Sequence, residues 1–386
     1  MFPALSPEMA RHCEQVTQAV RTGVETGNGC LAFDAYLDIV QYAPGLGYYS
    51  AGSEKFGASG DFVTAPEVST LFGRCVARQC AQILQHTGGD VLELGAGSGA
   101  LAACVLTALQ EFGQLPNHYY ILEVSADLRD RQRQLLARLS PSLNQRVRWL
   151  DALPAAPIAG VLVANEIADA LPFKRFAVRS GAVFERGIAL SADQRLVEDD
   201  RAADGKFRAQ IERVTGWRAG DYPDDYESEI CPMMEPWIAS LAGALARGAL
   251  LLIDYGCSRR DYYHPQRVRG TLRCHFRHRA HDDSLLYPGM QDISAWVDFT
   301  RVAEGADCAG LTVSGYCTQS AFLLACGIEQ DLAAVTAPLE HAKLAAQARV
   351  LLLPGEMGEN FKVMALTRGF DSPLRGFAYQ DLLGAL

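Results

Sequence analysis

The stretch that most constrains the fold is Val91-Leu92-Glu93-Leu94-Gly95-Ala96-Gly97-Ser98-Gly99-Ala100-Leu101. Strand-compatible residues run into a carboxylate, three glycines follow on alternate positions, and an apolar helical pattern begins. Strand, glycine turn and helix in that order open a nucleotide-binding βαβ unit. Gly95 permits the tight turn, Gly97 lets the backbone approach a ligand, and Gly99 lets helix and strand pack closely. Gly95, Gly97 and Ala100 also satisfy the G-x-G-x-x-A form of the dinucleotide fingerprint. Glu93 separates the two readings. A carboxylate beside the turn repels a pyrophosphate in a partly dry site. It suits a ligand with a positive end, and S-adenosylmethionine has an ammonium, a sulfonium and no phosphate. The plain alternative is a turn that only closes a βα unit.

The rest of the chain reads as a doubly wound α/β protein around this turn. Residues from Pro7 to about Gly27 predict a helix, and Phe33, Tyr36, Leu37 and Val40 have helical spacing. Tyr42 to Tyr49 and Lys55 to Phe62 are rich in glycine and aromatics, which favours a binding wall over a linker. Thr64-Ala-Pro-Glu67 reads as a capping box opening the next helix, whose apolar stripe runs from Val68 to Ile83. Tyr119 to Glu123 is the second strand. An acid at its end reaches ribose hydroxyls in such sheets, so Glu123, with Val124 beside it, is a cofactor-binding candidate; capping the next helix is the alternative. Ser125 is the better cap for a helix over Ala126–Leu139. Val147 to Ala152 is a short third strand. Asp151, followed by the small Ala152, either accepts the adenine amino group or is a loop aspartate.

Gly160-Val-Leu-Val-Ala-Asn165-Glu166 is a buried fourth strand with polar residues placed abruptly at its C-terminal end. Ligands of open α/β sheets bind at those ends. Asn165, Glu166 and Asp169 are therefore the best chemical candidates. Residues 173–247 break the rhythm: an alternating hairpin pattern is followed by an acidic run, Asp221 to Glu229, which reads as a solvated loop. Gly248 to Gly256 is the fifth strand, Asp292 to Ala303 reads as helical, and Leu311–Cys317 and Lys362–Arg368 complete the sheet as an antiparallel pair. His275, His278 and His281 stand three residues apart, but no cysteine completes a zinc set and a polar loop is expected, so no metal is assigned. The expected division is 1–88 as an N-terminal helical and glycine-rich extension, 89–172 as the cofactor half of the sheet, 173–247 as an inserted lid region, and 248–386 as the second half.

The net charge of −10 disfavours unspecific binding to phosphate backbones. No apolar run approaches the ~18–20 residues that span a bilayer. The 11 cysteines are scattered, with no C-x-x-C pair, which suits a reducing compartment. The N-terminus shows no signal pattern, so the expected location is the cytoplasm, or the mitochondrial matrix in a eukaryote. No pattern for self-association is evident.

The motifs resemble those of the MidA-like family of S-adenosylmethionine-dependent methyltransferases, which includes the mitochondrial arginine methyltransferase of respiratory complex I assembly. The resemblance covers most of the chain. It rests on Gly45-Leu-Gly-Tyr-Tyr49, Gly60-Asp-Phe-Val-Thr-Ala-Pro-Glu67, Glu93-Leu-Gly-Ala-Gly-Ser-Gly99, Glu123-Val-Ser and Ala164-Asn-Glu-Ile-Ala-Asp-Ala-Leu-Pro172. It continues through Asp254-Tyr-Gly256, Gly270-Thr-Leu-Arg273, Val297-Asp-Phe299, Met357-Gly358 and Phe361-Lys-Val363. It implies a class I methyltransferase, Rossmann-like seven-stranded sheet with helices on both faces and an insertion after the fourth strand. It also implies methyl transfer to arginine on a protein substrate of the respiratory-complex-subunit kind. Gly60, Asp61, Glu93, Gly95, Gly97, Gly99, Glu123, Val124, Asp151, Ala152 and Asn165 are the expected cofactor residues; Glu166 and Asp169 are the expected catalytic pair. Ala168 and His275 depart from the family's usual aromatics. A base-modifying enzyme would place Asn/Asp-Pro-Pro-aromatic where this chain has Asn165-Glu-Ile-Ala, so nucleic acid is not the expected acceptor.

Overall fold

The computed structural model describes residues 5–50, 63–216 and 221–386. The chain divides into two compact units, neither continuous in sequence. One comprises Val63–Asp169, Met234–Ser258 and Val297–Leu386; the other comprises Met1–Phe62, Ala170–Met233 and Arg259–Trp296. This differs from the four consecutive stretches expected from sequence: the N-terminal extension and most of the insertion share a unit, joined by a third segment from beyond the fifth strand.

The first unit holds the glycine turn. Its strands are β1 (Asp90–Leu94), β2 (Tyr119–Leu122), β3 (Val147–Leu150), β4 (Ile158–Asn165), β5 (Leu245–Cys257), β6 (Thr312–Thr318) and β7 (Phe361–Arg368). They lie in the order β6-β7-β5-β4-β1-β2-β3. Strands β1 to β5 are parallel, and β7 runs antiparallel to both β5 and β6. A two-residue strand, Val297–Asp298, pairs with the end of β5 and brings the sheet to eight strands. The chain proceeds from β1 outward through β2 and β3, then returns to place β4 on the other side of β1. The strand order therefore reverses between β1 and β4, where open α/β sheets bind ligands.

Burial explains the apolar character of these strands. Val91, Val161, Val163, Ala249, Leu251 and Val363 belong to one core with helices Thr70–Thr87 and Ala100–Glu111. The alternating residues Leu92, Leu162, Leu250, Leu252 and Met364 are buried as well. A sheet buried on both faces needs helices on both. The helix expected to start at the Thr64–Glu67 box starts later. Ala65–Val68 forms a single turn without a side-chain cap, and Ser69 caps the long helix by accepting from the Leu71 N–H at 3.3 Å.

In the second unit, Lys174–Arg179 and Ala182–Leu190 form the expected hairpin. Ser180 and Gly181 both have positive φ (49° and 73°), the two-residue turn whose twist matches the strands. Tyr226–Ile230 pairs with Lys174–Val178, so part of the acidic run is a buried strand rather than a solvated loop. Glu227 lies among Arg175, Arg179 and Arg186, which offsets the desolvation of its charge. The histidine segment is a hairpin, Arg273–Phe276 with Arg279–His281, rather than a loop. Cys274 faces His281 and His275 faces Ala280, so His275 and His281 project to opposite faces. The stretch expected to be helical from Asp292 contains two short strands, and its helix runs from Phe299 to Cys308. In the glycine-aromatic segment Tyr48 is buried, and the Tyr49 hydroxyl donates to Asp292 at 2.5 Å.

Candidate functional site

The glycine turn follows β1 without a break. The Gly95 N–H donates to the Leu122 carbonyl at 2.8 Å, tying the turn to the end of β2. Gly95 has φ +57°, a conformation that side chains other than Asn and Asp rarely adopt. Gly97 and Gly99 are also left-handed, and the helix Ala100–Glu111 begins immediately after. The turn is tied on its far side to the segment before it: the Ser98 hydroxyl donates to Glu67. Glu67 is thus spent across space rather than on capping its own helix.

Glu93 is only 2% exposed. It shares a face of β1 with Val91, and its Oε2 accepts the Tyr119 hydroxyl at 2.7 Å. Burial is the main cause that pushes its pKa up to about 7; the Tyr119 hydrogen bond opposes the rise and the Glu123 charge adds to it. The structure therefore surrounds Glu93 with protein, beneath the turn it was expected to serve.

Glu123 is buried at the end of β2 and held from two directions. The Ser125 N–H donates to Oε1 at 3.0 Å and Gln132 Nε2 donates to Oε2 at 3.0 Å. Burial raises its pKa, and these hydrogen bonds act in the opposite sense. The same Gln132 Nε2 lies 2.9 Å from the Gly97 carbonyl, and Gln132 Oε1 accepts the Trp149 indole N–H at 2.9 Å. Arg129, one turn earlier on the helix Ala126–Leu136, donates to Asp151 Oδ1 at 2.6 Å. Glu123, Asp151 and Gly97 are thereby brought together by Arg129 and Gln132 of the helix expected after Ser125, two side chains to which sequence reasoning gave no role. Their available signal was a spacing of three residues on one helical face. Val124 is 82% exposed next to the buried Glu123, and Ala152 is exposed next to Asp151.

The third group sits at the ends of β4 and β5. Asn165 Nδ2 donates to Glu166 Oε1 at 3.0 Å, and the Ala65 N–H donates to the same oxygen at 3.1 Å. The Asn165 Oδ1 is buried and has no hydrogen-bond partner among the described residues. Glu166 itself has φ +55°, a strained value for its residue type. Asp254, fully buried, explains how the following turn is held. Its Oδ2 accepts the N–H groups of Ile167, Ala168 and Asp169 at 3.2, 2.9 and 3.3 Å. Asp169 accepts the Tyr255 hydroxyl. Burial, then the charges of Asp169 and Glu166, hold Asp254 well above the usual carboxylate range. Three acids thus converge, and Tyr255 is a member that sequence reasoning did not single out. Gly60 and Asp61, expected at the cofactor, lie outside the described residues. Among the described residues, no group of His, Cys, Asp and Glu is arranged to hold a metal, and no helix is long and apolar enough to cross a membrane.

Three comparisons identify what the chain is similar to. Residues 75–317 match the family described as "Putative S-adenosyl-L-methionine-dependent methyltransferase". Over 374 residues the chain is 28% identical to protein arginine methyltransferase NDUFAF7, mitochondrial, of Xenopus laevis, covering 88% of this chain and 81% of that protein. The homolog named from Caenorhabditis elegans is 26% identical over 395 residues, covering 94% and 87%. The crystal structure of a superfamily member from Burkholderia thailandensis bound to S-adenosyl-homocysteine is 39% identical over 100% of both chains, with a TM-score of 0.94. The family match alone spans well over half of the chain, and this protein belongs to that family of S-adenosyl-L-methionine-dependent methyltransferases.

Proposed function

We propose that the protein methylates an arginine side chain of a protein partner. The observation that carries this reading is geometric: Glu166 and Asp169 stand together at the end of β4, on a turn whose backbone N–H groups are held by the buried Asp254. Two carboxylates, Glu166 and Asp169, side by side at a strand end favour a cationic acceptor. The relatives named as protein arginine methyltransferases support the same class of acceptor.

The residues at the other strand ends fit the cofactor. Glu123 matches the ribose hydroxyls, the exposed Val124 an adenine face, and Asp151 with Ala152 the adenine edge. The unpartnered Asn165 Oδ1 is an acceptor for an ammonium or hydroxyl. Gly95, Gly97 and Gly99 keep side chains away from the methionine end, with Glu93 supporting the turn from beneath. When bound, S-adenosylmethionine supplies an electrophilic methyl group; transfer forms a nitrogen–carbon bond, breaks the carbon–sulfur bond and leaves neutral S-adenosylhomocysteine.

Arginine is protonated at any physiological pH and is a poor nucleophile. Glu166 and Asp169 would grip its planar group and draw the charge toward the far nitrogens, leaving electron density on the near one. One of these carboxylates takes the proton released as the new bond forms. Orientation and electrostatics supply most of the acceleration.

The test is Glu166→Gln, assayed with tritiated-methyl S-adenosylmethionine on protein extract from cells lacking the enzyme. Methylarginine recovered after hydrolysis should fall at least ~100-fold. S-adenosylhomocysteine binding should stay within about threefold of wild type. Equal loss of both would move Glu166 to the cofactor. Wild type that binds S-adenosylhomocysteine but labels no protein arginine would refute the acceptor.

A further inference from the structure

The geometry points to Arg129 as a positioning residue that gives the cofactor site its selectivity for the 6-amino group of adenine. The inference rests on the placement of Asp151 at the adenine edge and is independent of the arginine acceptor. Asp151 is 92% exposed at its side chain, at the end of β3. An exposed aspartate samples several rotamers, so ordering it upon binding costs affinity. Arg129 removes that freedom. Its Nε donates to the Glu123 carbonyl at 2.5 Å and its Nη2 to the Leu150 carbonyl at 2.7 Å. Two backbone acceptors, one just past the end of β2 and one at the end of β3, fix the plane of the guanidinium. The third donor, Nη1, then holds Asp151 Oδ1 at 2.6 Å in one place. A guanidinium can serve three acceptors in a rigid fork; an ammonium on a flexible stem cannot.

Oδ1 is occupied by Arg129, which leaves Oδ2 as the acceptor for a purine amino group. The same fork ties the Glu123 carbonyl, and so the exposed Val124 that follows it, to the end of β3. A base would thus meet an edge acceptor and an apolar face whose spacing is set before it arrives. A 6-oxo purine puts oxygen lone pairs where adenine has its 6-amino donors, its N–H lying one position away at N1, and is disfavoured by a carboxylate fixed opposite the 6-position.

Isothermal titration with S-adenosyl-L-homocysteine and S-inosyl-L-homocysteine tests this in wild type, Arg129→Ala, Arg129→Lys and Asp151→Asn. Wild type should favour the adenosyl compound at least ~10-fold, about one edge hydrogen bond's worth of discrimination. Arg129→Ala should lose most of that preference, falling to the level of Asp151→Asn, with S-adenosylhomocysteine affinity down about tenfold. Arg129→Lys should not restore the preference, because charge without the fork leaves Asp151 mobile. Arg129 is partly exposed on a helix, and ligand-free melting of each variant reports any general loss of fold. A preference that survives intact in Arg129→Ala overturns the proposal alone. Equal binding of both compounds by wild type overturns it together with the placement of Asp151.

Discussion

Glu93 shows how burial changes the chemistry of a carboxylate whose position in the motif is plain from the sequence. Its folded pKa of about 7 stands above the ordinary value of 4.5, so between these values the folded state holds a proton that the unfolded chain releases. Stability from this group is therefore full below pH 4.5 and is lost as pH rises through about 7. The loss is on the order of 3 kcal/mol for a buried carboxyl shifted this far. Glu93→Gln removes the slope: the cofactor-free variant should match wild type near pH 4.5 and exceed it by that amount at pH 8, measured by urea unfolding. A variant less stable than wild type at pH 8 would show that the ionised carboxylate stabilises the turn. The residue type and its place beside the turn were readable, because a strand ending in an acid is a local pattern. Its burial against Tyr119 was not, because that partner lies on the neighbouring strand.

At the level of elements, the start of the helix Thr70–Thr87 separates a motif from its use. Thr64-Ala-Pro-Glu67 has the composition of a capping box, yet Thr64 makes no side-chain cap bond and Ser69 does. Ser69→Ala should cost about 1 kcal/mol of stability, whereas Thr64→Ala should cost no more than a few tenths. Paired denaturation curves check the contrast, and equal losses would restore the earlier start. The reason is that Glu67 has a competing partner, the Ser98 hydroxyl in the glycine turn. A reciprocal cap needs that carboxylate to fold back on its own backbone. The histidine hairpin teaches a similar lesson. Spacing of three suggested neither strand nor helix, and pairing decided it: Arg277 and His278 take positive φ to turn the chain back.

Across the molecule, β4 sits between β1 and β5, whose residues come from sequence positions far apart. Its register runs Ala159 to Asn165 against Arg247 to Ile253 on one side and Gly160 to Ala164 against Asp90 to Leu94 on the other. A fragment spanning residues 63–172 would leave one whole edge of β4 unpaired and its apolar faces partly uncovered. It should unfold without a cooperative transition and bind a hydrophobic dye, and a sharp urea transition would contradict this. The alternating α/β pattern, the glycine turn and the buried character of β4 and β5 were determined by the sequence itself. Backbone preference and hydrophobic period act over a few residues and leave a local trace. The tertiary structure alone decided which polar groups meet. Arg129 reaches Asp151 across 22 positions, and Asp254 collects three backbone N–H groups more than 80 positions earlier. It also decided that Glu227 is buried among arginines while Asp221, Asp224 and Asp225, earlier in the acidic run, face water. The charge of a carboxylate is written in its residue type. Its partners, burial and pKa depend on groups brought close only when the sheet assembles.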